Sequence, residues 1–167
     1  MRALFLLSIL VAASGINVSR VCPTPCFCKH VGPQAERLKV TCKDILEIKD
    51  ININGVSIEL YHLDLSKNNI YVVEPEVFRN LTNLRRLDLS ANKITVLGEG
   101  CFGGLESLER LDLSKNQISL IDAHAFRQLP NLKKLDLSGN KLSELEPILF
   151  HDLLALERLK LNGNGLK

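Results

Sequence analysis

Four of the chain's cysteines fall between positions 22 and 42: Cys22, Cys26, Cys28 and Cys42, spaced C-x3-C-x-C-x13-C. Thiols at this density either oxidise in pairs or hold zinc. Zinc is the weaker reading. The paired C-x2-C arms are missing, and His30 is the only histidine suitably placed. In an oxidising compartment the four read as a two-disulfide knot, and four cysteines allow three pairings. Pro23 and Pro25 stiffen the loop between the first two cysteines.

Other chemistry is sparse. Gly98-Glu99-Gly100-Cys101-Phe102-Gly103 matches G-x-G-x-x-G. It does not directly follow a strand that opens a nucleotide-binding helix, so it reads as coincidence. Histidines 30, 62, 124 and 151 form no ligand spacing. No nucleophile elbow is visible, and His151 beside Asp152 is an isolated loop pair. No enzyme, cofactor or metal is expected.

An oxidising compartment requires export, and the start of the chain supplies an address. Met1 and Arg2 are followed by an apolar run from Ala3 to Ala13, then by small Ser14 and Gly15. Residues 1–15 read as a secretory signal peptide. Eleven helical residues would reach only about 16 Å, against a hydrocarbon core of about 30 Å. No later segment has the unbroken apolar length of a membrane span. A secreted or outer-surface location is expected. The 46% apolar content of the 167 residues excludes a wholly disordered chain. A net charge of +2 argues against general binding of nucleic acid or anionic membrane.

From residue 60 the chain repeats itself every 24 residues, at Leu60, Leu84, Leu108, Leu132 and Leu156. The first unit reads Leu60, Leu63, Leu65, Asn68, Ile70, and the later units keep the pattern. Within each unit the L-x-L stretch alternates, as a strand with one buried face does. One unit cannot enclose its apolar face, so copies must stack, with their strands in a parallel sheet. Leu38 to Cys42 looks like a further short strand. Asn68, Asn92, Asn116, Asn140 and Asn164 sit where the chain leaves each strand and bends. Their amides can satisfy backbone groups that the bend leaves unpaired, so they read as structural. Phe78, Phe102, Phe126 and Phe150 form another column, expected to stack as a spine on the convex side. Cys101 precedes Phe102 where other units have Val77, Ala125 and Leu149, and reads as a buried free thiol.

The L-x-x-L-x-L-x-x-N-x-L units behind a cysteine knot resemble the extracellular leucine-rich-repeat superfamily with its N-terminal cysteine cap. That resemblance implies an α/β leucine-rich-repeat solenoid. The parallel sheet would be curved, with irregular or short helical turns on its convex side. It implies Cys22–Cys28 and Cys26–Cys42 disulfides. It divides the chain into a cap over 21–57 and about four and a half repeats over 58–167. Relatives include axon-guidance factors, Toll-like receptors, matrix proteoglycans, peroxidasins and neuronal adhesion proteins. The L-D-L-S-x-N-x-I wording and the insert after Cys28 resemble the A-group adhesion G-protein-coupled receptors. Many relatives carry a C-terminal cysteine cap, so the expectation is that the chain to Lys167 is the amino-terminal part of a longer protein or a truncated product.

Two polar columns flank the buried leucines. One is His62, Arg86, Arg110, Lys134, Arg158, and the next is Asp64, Asp88, Asp112, Asp136, Lys160. Neighbouring strands are about 4.8 Å apart and residues two apart on a strand about 6.6 Å. The columns therefore read either as a charge ladder that largely neutralises itself or as a mixed-charge protein-docking face. Tyr61 is almost the only aromatic there. With so few aromatic anchors, the units are expected to be partly scaffold, with affinity carried by the cap, later repeats or other domains. Sequons stand at Asn17 and Asn80, of which Asn80 is the better. Its equivalents Gly104, Gln128 and Asp152 are all compatible with exposure. The functional expectation is recognition of a protein ligand or co-receptor. The alternatives are a structural matrix protein or a segment in front of a secreted enzyme domain.

Overall fold

The structure, a computed structural model, describes residues 22–32, 37–51, 53 and 60–167. The expected signal peptide, Asn17 and parts of the expected cap lie outside them.

The cap opens with β1 (Cys26–Val31), antiparallel to β2 (Arg37–Cys42). Strand β2 buries Leu38, Val40 and Cys42, the alternation expected of it. The structure bonds Cys22 to Cys28 and Cys26 to Cys42. The second bond ties the two cap strands together.

Each repeat then adds a short parallel strand: β3 (Leu60–Asp64), β4 (Arg86–Asp88), β6 (Arg110–Asp112), β8 (Lys134–Asp136) and β9 (Arg158–Lys160). These join the cap in one sheet of order β1-β2-β3-β4-β6-β8-β9. Residues 24 apart are direct partners, as in Leu63↔Leu87 and Leu111↔Leu135. On the return half of the coil, β5 (Val96–Leu97) and β7 (Leu120–Ile121) pair as a second small parallel sheet.

The described residues contain no α-helix. Turns carry the convex side, with 3-10 segments at Ile48–Asp50 and Pro147–Phe150. The protein is thus a parallel-sheet solenoid, and the helical part of the expected class is reduced to these turns. A coil only 24 residues long leaves little room for a helix after its strand and bends.

One continuous core runs through the coils. Leu60, Leu84, Leu108 and Leu132 are fully buried. The Phe78 and Phe102 rings stack at 6.4 Å between centroids, and Phe102 and Phe126 at 5.8 Å. Phe150 departs from the expected spine. It is only partly buried, enters neither stack, and lies at the end of the 3-10 segment Pro147–Phe150. Cys101 is a buried free thiol.

The bends are held by the asparagines. Asn92 Nδ2 donates to Leu89 O and Ser90 O in its own unit and to Leu65 O in the unit before. Its Oδ1 accepts from the Ile70 amide at 3.1 Å. Asn116 and Asn140 repeat this, and Asn68 does the same to Cys42 and Ile45, fastening the cap to the first repeat. Just before each asparagine the backbone is left-handed, at Lys67, Ala91, Lys115, Gly139 and Gly163. Only the last two use the residue that takes this conformation without steric penalty.

Gly98 follows directly on β5, and the chain then turns without opening a helix, so the glycine motif lacks a phosphate-binding context. One expectation needs correcting. Gly104 is half-buried: a Cβ there would lie 2.5 Å from Arg79 O, so this column is not uniformly exposed.

Candidate docking face

Strand alternation decides which side chains reach the outer face of the sheet. With Leu63, Leu87, Leu111 and Leu135 pointing into the core, the residues on either side must point out. Register then sets them in straight rows. His62, Arg86, Arg110, Lys134 and Arg158 are direct partners from strand to strand. Asp64, Asp88, Asp112, Asp136 and Lys160 form the second row. Both rows, except Asp64, line one open groove of about 380 Å³ running along the sheet.

The rows do not pair as a ladder would. Each aspartate turns along its own strand instead. The Ser66, Ser90, Ser114 and Ser138 hydroxyls donate to Asp64, Asp88, Asp112 and Asp136 at 2.5–2.8 Å, and the same serines' amides donate to the same oxygens. Ion pairs to the acidic row come only from its ends among the described residues: Lys39 to Asp64 at 3.1 Å and Lys160 to Asp136 at 2.7 Å. Arg86, Arg110, Lys134 and Arg158 have no carboxylate partner among the described residues. The expected mutual neutralisation is therefore incomplete, because a serine two residues on is closer to each carboxylate than the next strand's cation.

Burial would raise the Asp64 and Asp136 carboxyls. Hydrogen bonds from Ser66 and Lys39, and from Lys160 and Ser138, outweigh it and hold both below the usual carboxylate range. His62 shifts the other way. Burial disfavours its charged form, and Lys39 and Arg86 add to the effect against the pull of Asp64 and Asp88.

Tyr61 lies beside the groove and not in its lining. Its ring sits between two guanidinium groups, Arg37 at 4.8 Å and Arg86 at 5.5 Å from the centroid. This fixes an aromatic surface and two cations together at one end of the face.

Residues 58–118 and 107–166 match the family model for leucine rich repeat. The chain belongs to the leucine-rich-repeat family. No curated protein matches it. Leucine-rich repeats suggest protein–protein recognition, and the leucine-rich-repeat solenoid is typically not catalytic. Its disulfides are consistent with an extracellular protein. No helix among the described residues is long and apolar enough to cross a membrane.

The remaining expected sites lie apart from the groove. Asn80 is exposed in the loop between β3 and β4, beside a hollow lined by Ile48, Ile51 and Ile53. His124 approaches Asp122 at 3.7 Å, and His151 approaches Asp152 at 2.9 Å, both as exposed pairs.

One feature of these leucine-rich repeats escaped the sequence reading. Arg85, Glu109 and Lys133 stand next to the cationic row, and here the signs alternate. Arg85 reaches Glu109 at 2.6 Å and Lys133 reaches it at 3.8 Å. The 24-residue period carries that signal, but it does so in the position after the first leucine.

Proposed function

We propose that this chain is an extracellular protein-recognition module that receives a protein ligand or co-receptor on the groove of its sheet. The observation that carries the reading is the groove itself. Five strands hold His62, Arg86, Arg110, Lys134 and Arg158 in unbroken register on an open face. Aspartates 88, 112 and 136 stand beside them, so the face has the mixed charge that selects partners and steers their approach.

The apolar run behind Arg2 supports secretion or display on the outer surface of the cell, as the two disulfides do. Within that setting we read the chain as part of a receptor or adhesion ectodomain, of the kind found in A-group adhesion G-protein-coupled receptors and similar leucine-rich-repeat receptors. Asn80, exposed in the Asn80-Leu81-Thr82 sequon, would carry a glycan outside the groove and leave the face free.

A glycan wedge tests this. Asp112→Asn turns Asp112-Leu113-Ser114 into a sequon on the groove itself. Wild type and the wedge variant, secreted from mammalian cells, are applied to a panel of purified human ectodomains. Binding that is lost with the wedge and kept in Asn80→Gln supports the reading. Binding that survives the wedge, or no binder in the panel, contradicts it.

A further inference from the structure

Stability and recognition ask opposite things of a column of charges. A column that serves the stack alternates in sign, as Arg85, Glu109 and Lys133 do. The next column holds Arg86, Arg110 and Lys134 in direct register with like sign. Like charges directly opposite one another destabilise a sheet. The Asp88, Asp112 and Asp136 row repeats the arrangement with negative sign, but its carboxylates are compensated by serine hydroxyls. The cations have no carboxylate partner among the described residues, and of the three only Arg86 lies over an aromatic ring, that of Tyr61. Two parallel rows of opposite sign are thus held side by side and presented outward.

We infer that this face takes a protein segment lying across the strands, with a row of acidic side chains flanked by a row of basic ones. The inference rests on the docking reading above and names the partner's chemistry. Spacing favours a helical segment. The rows repeat about every 4.8 Å, whereas an extended chain brings a side chain to one face only every 6.6 Å or so. Helix positions i, i+3 and i+4 are neighbours at about 5–6 Å, which is nearer. A uniformly charged sulfated polysaccharide fits worse, because the aspartate row repels it along its whole length. Tyr61, held between Arg37 and Arg86, offers a rigid aromatic anchor at one end of the rows.

Three fluorescent probes decide between these chemistries. The first is a helical peptide with a glutamate row beside a lysine row. The second has glutamate in both rows, and the third is a heparin-derived oligosaccharide. Each is titrated with the disulfide-intact chain in about 20 mM salt, where screening reaches about 20 Å. The paired-row peptide should bind about tenfold tighter than either uniformly acidic probe. Arg86→Ala/Arg110→Ala should weaken it about tenfold, and Lys134→Ala, which leaves the Tyr61 stack intact, should weaken it in the same direction. Arg85→Ala/Glu109→Ala should stay within about twofold of wild type. Circular dichroism confirms that each variant keeps its sheet. Equal or tighter binding of either uniform probe overturns the inference, as does an unchanged affinity in the arginine and lysine variants. So does no binding of the paired-row peptide up to about 1 mM, weaker than about 4 kcal/mol of binding. If the glycan at position 112 still blocks an ectodomain while the peptides show no preference, only this inference fails and the docking reading stands.

Discussion

Arg85 Nη1 lies 2.6 Å from Glu109 Oε1, closing an ion pair between equivalent positions of successive repeats. Arg85 and Glu109 stand just before β4 and β6, and the first residues of those strands, Arg86 and Arg110, are direct partners with no carboxylate partner among the described residues. Two neighbouring columns thus differ in their contacts: the one just before the strands links coil to coil by ion pairs, and the one that opens the strands carries like charges on the outer face.

Phe126 tests the spine. Its ring stacks on Phe102 and is fully buried. Phe126→Ala should cost about 3–5 kcal/mol, read as a lowered urea midpoint. Phe150→Ala should cost less, because that ring is only partly buried. Equal losses at the two positions would contradict the placement.

Asn116 tests the bends. It donates to Leu89 O, Leu113 O and Ser114 O and accepts from the Ile94 amide. Asn116→Ala strands those buried groups and should cost about 2–5 kcal/mol by urea unfolding. A loss below about 1 kcal/mol, the net worth of one ordinary hydrogen bond, would mean that the amide is not what satisfies the bend.

The period, the strands, the buried leucines and the asparagine column could all be read from the sequence, because each depends only on residue type at a fixed interval. Side-chain direction could not. That Asp88 and Asp112 turn to Ser90 and Ser114, and not to Arg86 and Arg110, depends on rotamers that a repeat pattern does not encode. The Arg85–Glu109 pair was hidden similarly, since a column of mixed sign looks like no column at all. Phe150 shows the limit of the periodic argument: the residue recurs on schedule, yet it lies in a 3-10 segment and its ring is only partly buried.

His62 gives a pH dependence. Burial holds its folded pKa below the ordinary 6.5. Between the two values the unfolded chain binds more protons, so stability falls as pH drops through that window. His62→Gln should therefore lose less stability than wild type when urea midpoints are compared at pH 7 and pH 5. Asp64 and Asp136 act lower on the scale. Their folded values lie below the unfolded ones, so their contribution is full at pH 5 and is lost as pH falls through the folded values. An equal acid loss in His62→Gln would count against the half-buried imidazole as the source.

Cys101 should be chemically silent. Burial pushes its thiol up to about 12, and the thiolate is the reactive form. The native protein should not react with a disulfide reagent at pH 8, and denaturant should release one thiol. Rapid reaction in the native state would contradict its burial.

A cationic row kept for an outside partner should come at some cost to the stack. The most direct test is urea unfolding of two neutralised variants from adjacent columns, Arg110→Gln and Glu109→Gln. Glu109→Gln should lose up to about 1 kcal/mol with its ion pairs to Arg85 and Lys133. Arg110→Gln should be unchanged or gain a few tenths of a kcal/mol, because a like-charge contact is relieved. A loss at Arg110→Gln equal to or larger than that at Glu109→Gln would show that the row serves the fold and is not kept for a partner.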